Sequence, residues 1–407
     1  MTWLILRQLL LMATVIIINS NSSSDIVRTF NETNSEVERF NHLVVDKNTG
    51  RVYIGAVNRL YQLSPDLDLV IEAKTGPDYD ADDCSVLECV SEQRQLTNNV
   101  NKALVIDYTT TRLISCGSLF QGICSVRNLH NISDAAREVR EAVVANDVSA
   151  STVAFIAPGP PNPPVSQVMY AGVTYSGKSV YRIEVPAVSS RSLDKDRMFT
   201  IAHSAVTTGT RMFVNSLARE RYVIQYVYGF ASEGFSYFLT TQMKHTTSTN
   251  QYISKLVRVC HDDENYYSYT EIPMDCIEAQ GRKYNLVQAA YVGKAGSDLA
   301  GDLGITAQDD VLFAVFSESD SAQPNRSTDL SALCVYSLKA IRRKFMQNIK
   351  NCFGGNGERG LDFISPSHRC VLTVSTHLRT TMMLRRHCRD GIDRPLPGPR
   401  SGTQAPD

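Results

Sequence analysis

The stretch "LISCGSLFQGICSV", residues 113–126, contains two short runs of β-branched and small residues on either side of a glycine-containing turn. This pattern predicts two antiparallel strands joined as a hairpin. Cys116 and Cys124 lie where the strands meet the turn, and Gly117 and Gly122 allow the chain to turn tightly between them. The two thiols could hold a metal, form a redox pair or form a structural disulfide, and the hairpin alone does not decide between these.

Similar runs recur along the chain. Strand-like segments with small central residues begin at Val52, Leu113 and Val168, at intervals of about 60 residues, and a further one begins near Val223. An interval of this size fits a four-stranded blade with long loops. The sequence therefore predicts an all-β chain built as a β-propeller rather than a sandwich.

Helical periodicity interrupts the repeats. In "SLKAIRRKFMQNIKNCF", residues 337–353, apolar side chains recur three and four positions apart, which predicts an amphipathic helix. Its basic triplet, residues 342–344, is expected on the solvated face rather than in a binding patch. Residues 133–145 give a weaker helical pattern. Residues 276–309 are too long for one hairpin and predict an insertion that packs on the propeller rim.

The N-terminus indicates export from the cell. An apolar run at residues 9–18 is followed by small polar residues, which predicts a signal peptide over residues 1–22 and a mature chain outside the cell. Asn-x-Ser/Thr sequons follow at Asn21, Asn31, Asn131 and Asn325, and N-glycosylation is predicted at the last three. In an exported chain, the ten cysteines are expected to form disulfides. No zinc-type Cys/His spacing or Cys-x-x-Cys redox motif accompanies them.

Catalytic and nucleic-acid functions lack support in the sequence. The net charge of −1 gives no basic face for nucleic acid. "GNGERG" at residues 355–360 matches a nucleotide-binding glycine pattern, but it follows a helix instead of a strand and is predicted to be a disulfide-flanked loop. The acidic runs at residues 78–83 and 260–265 could bind calcium weakly, although solvated loops are the favoured interpretation. The sequence therefore predicts no enzyme, cofactor, metal or small-molecule substrate.

Four segments resemble the sema domain of plexins, the semaphorin receptors, and are most similar to an invertebrate A-type plexin. They are "FNHLVVDKNTGRVYIGAVNRLYQLSPDL" (40–67), "LTNNVNKALVIDYTTTRLISCGSLFQGICSVRNL" (96–129), "STVAFIAPGPP" (151–161) and "ALCVYSLKAIRRKFMQNIKNCF" (332–353). The segment "CGSLFQGIC" is the most specific of these. The resemblance extends from about Phe40 to Thr373.

The resemblance implies a seven-bladed β-propeller whose rim and blade edges bind the sema domain of a semaphorin. It implies an extracellular recognition module of a plasma-membrane receptor in axon guidance, with self-association or a co-receptor as a further possibility. The alternatives are a semaphorin or Met-like sema protein, or a soluble decoy for semaphorin. The residues that contact semaphorin are unknown; exposed positions in the second to fourth repeats are candidates, but ordinary blade-surface roles are favoured for them: Arg211, Arg219, Arg221 and Tyr222.

The resemblance also implies a disulfide pattern. The implied pairs are Cys84 with Cys89, Cys116 with Cys124, Cys276 with Cys334, and Cys352 with Cys370. Cys260 has no matching partner in this sequence, and Cys388 is an uncertain candidate for that role.

Beyond Thr373 the sequence is rich in arginine and proline, and its resemblance to plexins ends. We therefore predict a signal peptide at residues 1–22, a sema domain at 23–373 that lacks its last blades, and a non-homologous, disordered tail at 374–407. The chain is accordingly expected to be a fragment without a membrane span or cytoplasmic region.

Overall fold

The structure is a computed structural model, and it describes residues 28–31, 39–89, 92–134, 136–162, 165–206, 208–245, 251–353 and 363. This part of the chain is built almost entirely from antiparallel strands arranged in successive sheets. Two α-helices and one 3-10 helix complete it.

The first two sheets have four strands each and are separated by a small two-stranded ribbon. The first sheet contains β1 (Phe40–Val45), β2 (Val52–Ala56), β3 (Arg59–Leu63) and β4 (Leu69–Lys74). The ribbon pairs β5 (Asp78–Asp80) with β6 (Gln95–Thr97). The second sheet contains β7 (Asn101–Asp107), β8 (Arg112–Gly117), β9 (Cys124–Asn128) and β10 (Arg137–Val139).

The third and fourth sheets repeat this arrangement with longer strands. The third contains β11 (Thr152–Asn162), β12 (Val165–Val173), β13 (Val188–Ser192) and β14 (Arg211–Met212), with the 3-10 helix Val180–Glu184 between β12 and β13. The fourth contains β15 (Ile224–Ser232), β16 (Phe235–Met243), β17 (Tyr252–Cys260) and β18 (Thr270–Met274).

The fifth sheet has three strands among the described residues and carries both α-helices. A two-stranded ribbon of β19 (Cys276–Ile277) and β20 (Lys283–Tyr284) precedes it. The sheet contains β21 (Leu286–Lys294), β22 (Asp310–Ser319) and β23 (Ser327–Ser337). Helix α1 (Gly296–Leu303) lies between β21 and β22, and α2 (Leu338–Phe353) follows β23.

The sheets are blades of a β-propeller, as predicted. The first strands of successive sheets, β1, β7, β11, β15 and β21, each contact the next, which places them on the inside of the arrangement. Adjacent side chains of a strand point to opposite faces, so each blade packs against both neighbours. In β12, for example, Met169 packs against the second blade and Tyr170 against the fourth. Each such buried apolar side chain contributes about 1.5–3 kcal/mol.

The predicted repeat is in register for three blades and shifted in the fourth. The segments at Val52, Leu113 and Val168 lie in the second strands of the first three blades. The segment near Val223 instead lies in β15, the first strand of its blade. The second strand, β16, carries the buried aromatic residues Phe235, Tyr237 and Phe238 in place of small residues, which conceals its equivalence in the sequence.

The two predicted helices have different outcomes. Helix α2 forms, and its apolar face, with Ile341 and Phe345, is buried against the fourth and fifth blades. Residues 133–145 were expected to be helical, and that prediction is wrong. Part of this segment is β10, paired with β9, and the amides of Val143 and Val144 donate to the carbonyl of Gly122. These long-range hydrogen bonds outweigh the weak local preference. Residues 276–309 form an insertion only in part, because β21 within them is the first strand of the fifth blade. The α1 helix packs on this blade, with Ala300 against Val311 of β22.

Candidate interaction surface

The hairpin of residues 113–126 is closed by a disulfide and helps to hold neighbouring blades together. Cys116 and Cys124 lie directly opposite each other in β8 and β9, with a Cα–Cα distance of 3.9 Å, and their sulfurs are bonded. In the turn between them, Gly122 has a φ of +85°, and a Cβ there would lie 2.2 Å from the carbonyl oxygen of Val144. Only glycine fits this position. Gly117 has a different role from the predicted one, because it lies within β8 and leaves room for the side chain of Asn99.

Arg182 connects this hairpin to the third blade. It lies in the 3-10 helix and is 1% exposed. Its guanidinium donates to the carbonyl oxygens of Gln121 at 2.6 Å and Val144 at 2.9 Å. Burial, together with the nearby Arg191, lowers the pKa of Arg182 to about 10, so it stays charged at neutral pH. No local pattern in the sequence indicates this contact, because it joins residues far apart in the chain.

Three disulfides join cysteines in the described part of the chain, and they are the pairs that the resemblance implies. They link Cys84 with Cys89, Cys116 with Cys124, and Cys276 with Cys334. Cys352 is also disulfide-bonded, as is Cys260, to which the sequence assigned no partner. Cys370 and Cys388, the candidate partners, lie outside the described residues, as do the 355–360 loop, the predicted signal peptide and the predicted tail.

The acidic runs are organised as turns. Asp80 is buried, and its carboxylate accepts hydrogen bonds from the amides of Ala81 and Phe120. Burial raises the pKa of Asp80. Asp80 lies close to Cys84 and Cys89, but a disulfide between these two sulfurs leaves neither as a thiolate ligand. In the second run, Asp263 accepts from the amides of Asn265 and Ser268. Both runs thus use carboxylates to fix loop backbone.

The fold brings together a serine and a histidine that sequence spacing did not connect. Nε2 of His261 lies 3.1 Å from the hydroxyl oxygen of Ser236, across β16 and the end of β17. Ser236 is fully buried and His261 is 7% exposed, so a substrate cannot reach this pair. Burial lowers the pKa of His261 to about 4. The neutral imidazole also lies 6.0 Å from the ring of Tyr170 in the third blade, measured between ring centroids.

This histidine makes stability dependent on pH. The folded-state pKa lies below the ordinary value of 6.5, so protons favour the unfolded chain between pH 6.5 and about 4. We expect His261 to lower the unfolding free energy by about 3 kcal/mol at pH 4 relative to pH 7. Urea unfolding of the wild type and H261Q at several pH values would measure this. The control is H130Q, because His130 is exposed and this variant should keep the wild-type dependence of the unfolding free energy on pH. If H261Q also keeps the wild-type dependence, the prediction is contradicted.

The predicted surface positions differ in exposure. Tyr222 is 1% exposed, donates to the carbonyl of Met243 and stacks on Phe363, so the proposal of an exposed Tyr222 is wrong. Arg211 and Arg219 are half-buried over the rings of Phe213 and Tyr175. Arg221 is exposed.

Two strongly exposed apolar residues lie in separate loops of the third blade. Val206 is 99% exposed and Leu217 is 91% exposed, the largest values for large apolar side chains in the described residues. Val206 lies in the loop between β13 and β14, and Leu217 lies just after β14. Leu217 shares a hydrogen-bonded turn, residues 215–222, with Arg221, and exposed apolar side chains together with arginines are typical of protein contact surfaces. Val206 lies in a different loop, in which Thr208 donates to Asn265. We call Leu217 and Arg221 the third-blade surface.

The predicted glycosylation sites differ in exposure. Asn31 and Asn325 are exposed, whereas Asn131 is half-buried with its amide donating to Asp134.

In α2, Arg343 and Lys344 are exposed as expected. Arg342 is not: it is buried and pairs with Glu233 at 3.0 Å, because it lies beside the apolar face that packs on the fourth blade. Among the described residues, no helix is long and apolar enough to cross a membrane.

Comparison with known proteins identifies relatives of this chain. The Sema domain family model matches residues 287–396, which extends beyond Thr373. The chain is 37% identical over 360 residues to Plexin-A4 of Danio rerio, covering 83% of this chain and 18% of that protein. For Plexin-A4 of Homo sapiens the identity is 36% over 359 residues, covering 83% and 19%. The chain thus spans less than a fifth of the length of these curated relatives.

Solved structures agree with this relationship. The extracellular region of Plexin A4, domains 1 to 8, superposes with a TM-score of 0.72 at 36% identity, covering 83% of this chain and 38% of that one. Drosophila Semaphorin 2a gives a TM-score of 0.54 at 17% identity, covering 79% and 50%, which indicates a shared fold alone.

Proposed function

The chain is a homologue of the sema-domain region of the A-type plexins, and on that basis we propose that it is an extracellular, semaphorin-binding propeller of a plexin-type receptor. The observation that carries the proposal is the contrast in identity. The chain is 36% identical to the Plexin A4 structure but 17–18% identical to the semaphorin structures that share its fold. This contrast favours the receptor over the semaphorin alternative.

The interior of the chain supports a binding role. The sema family is a family of receptor and binding domains, and the one buried serine–histidine pair described above is closed to substrates. A rigid scaffold that presents loops is the arrangement expected of a recognition module. Such a chain would act in axon guidance signalling as the ligand-recognition part of a larger receptor, or as a soluble decoy for semaphorin.

We propose the third-blade surface as a contact region for semaphorin. Apolar side chains exposed beside a cation can become buried against a partner, and such residues often dominate the binding energy. Leu217 and Arg221 have these properties, and backbone hydrogen bonds within residues 215–222 hold their turn in place.

A binding experiment tests both steps. The secreted chain would be titrated onto immobilised extracellular fragments of Drosophila Semaphorin 1a and Semaphorin 2a by biolayer interferometry. We expect saturable binding, and a loss of affinity of about tenfold or more in L217D/R221E, equivalent to about 1.4 kcal/mol. The matched control is L87D, because Leu87 is 76% exposed but lies outside the third blade.

The outcomes separate the two proposals. If the folded wild-type chain binds neither fragment, its proposed role as a receptor for these semaphorins is wrong. If it binds but L217D/R221E binds equally well, the role stands and the third-blade surface is excluded as the contact region.

A further inference from the structure

A polar cleft separates part of the first blade from the second. The apolar cluster at this junction, which includes Tyr53 and Leu113, fills only part of the interface. Beyond it lies a cavity of about 340 Å³ between the Lys74–Asp78 segment and the face of the second blade that carries Ser115 and Ser125. This volume lies in the range of small-molecule sites. We call this cavity the inter-blade cleft.

Hydrogen bonds hold the polar groups of the inter-blade cleft in fixed positions. Oδ1 of Asn101 lies 2.9 Å from Nδ1 of His42, and the Asn101 amide donates to the hydroxyl of Ser115 at 3.0 Å. The side-chain amide of Asn99 donates to the carbonyl of Thr75 at 2.8 Å. A carboxamide has two donor hydrogens and two acceptor lone pairs, so each asparagine keeps hydrogen-bonding capacity for a ligand.

An aromatic ring completes the lining. Phe120 has a φ of +52°, a conformation that non-glycine residues adopt rarely, and its amide donates to the buried carboxylate of Asp80 at 2.8 Å. The guanidinium of Arg140 lies 5.1 Å from the ring centroid. These contacts with Asp80 and Arg140 thus hold Phe120 at the wall of the cleft.

The charges along the cleft balance. Two cations, Lys74 and Arg127, and two anions, Asp78 and Glu138, line it. A site of this kind exerts no net attraction on a charged ligand. Carboxamides, hydroxyls and one aromatic ring are instead suited to a neutral molecule with many hydroxyl groups and an apolar C–H face.

We propose that the inter-blade cleft binds a neutral sugar residue. The hydroxyls of the sugar exchange hydrogen bonds with Asn99, Asn101 and Ser125, and its C–H face packs against Phe120. The site is separate from the third-blade surface, and the sugar comes either free or as the terminal residue of a glycan.

Saturation-transfer NMR on the secreted full chain tests this inference. The probes are the methyl glycosides of mannose, galactose and N-acetylglucosamine, with glucuronic acid and glucosamine methyl glycosides as charged counterparts. We expect transfer to at least one neutral glycoside and weaker transfer to the charged ones. S125L fills the cleft and should weaken binding about tenfold or more, as expected for lost hydrogen bonds. S331L, a strand serine in the fifth blade, should bind like the wild type.

A second variant keeps the test decisive if S125L does not fold. S125A removes the hydroxyl that exchanges hydrogen bonds with the sugar and adds no volume, so neutral-sugar binding should weaken about threefold or more. The proposal is overturned if no neutral glycoside binds, if a charged glycoside binds more tightly, or if folded S125L or S125A binds a neutral glycoside as tightly as the wild type. A glycopeptide with the same terminal sugar identifies the source: binding of both probes supports a glycan, and binding of the free glycoside alone supports a free sugar. Binding of the glycopeptide alone contradicts the proposal.

Discussion

Replacing Glu271 by alanine is expected to destabilise the fold by about 3–5 kcal/mol, because it removes the carboxylate from a buried ion pair. Glu271 is completely buried in β18, and one of its oxygens lies 3.0 Å from Nζ of Lys255, which is 7% exposed. Gln242 and Tyr269 also donate to this carboxylate, each at 2.9 Å. The substitution would leave the Lys255 ammonium in the interior without its carboxylate and remove the acceptor of two further donors.

Guanidinium unfolding of the secreted chain would measure this loss. E278A is the matched control, because Glu278 pairs with Arg282 at 3.7 Å while both are partly exposed, and its loss should cost about 1 kcal/mol or less. The double variant K255M/E271L should recover much of the stability, since it removes both charges together. A loss in E271A no larger than in E278A would show that the ion pair is unimportant for stability.

Replacing Phe345 by alanine is expected to have an effect of similar size, about 3–5 kcal/mol. Phe345 is fully buried where α2 meets the fourth blade. The guanidinium of Arg258 lies between two rings, 4.7 Å from the centroid of Phe345 and 4.2 Å from that of Phe235. Alanine would leave a cavity and remove one side of this cation–π arrangement.

Two measurements distinguish docking of the helix from general stability. Unfolding by denaturant gives the total loss, and hydrogen exchange reports on α2 locally, where F345A should lose amide protection. Q347A is the control, because Gln347 is exposed on the same helix and its change should stay within about 0.5 kcal/mol. If F345A and Q347A unfold at the same denaturant concentration, α2 does not depend on this contact.

The elements set by local pattern were predictable from the sequence. Alternation and glycine-containing turns indicated the blades, and the spacing of Leu338, Ile341 and Phe345 indicated α2 with its buried face. The short distance between Cys116 and Cys124 in the chain made their hairpin recognisable. Each of these signals lies within one window of sequence, where side-chain periodicity reports directly on the buried face.

Features that depend on contacts between blades were not predictable. Arg342 belongs to a basic triplet, yet it is buried beside the apolar face of α2 and pairs with Glu233 of a distant hairpin. Tyr222 follows an exposed arginine, yet it packs under Phe363. The inter-blade cleft likewise needs residues of two blades. The His261–Ser236 pair lies within one blade, but its members are 25 residues apart in the chain. A single sequence window contains none of these partners, so its pattern cannot report them.

At the junction of the second and third blades, the buried position of Arg182 suits arginine better than lysine. Lys102 also donates to two backbone carbonyls, those of Val148 and Ala150, and burial lowers its pKa to about 8. Arg182 makes comparable contacts and keeps a pKa of about 10. In mildly alkaline surroundings the lysine becomes neutral while the arginine stays cationic. If lysine replaced Arg182, the positive charge at its contact with two backbone carbonyls would also be lost in mildly alkaline surroundings. Arginine and lysine are therefore not interchangeable there.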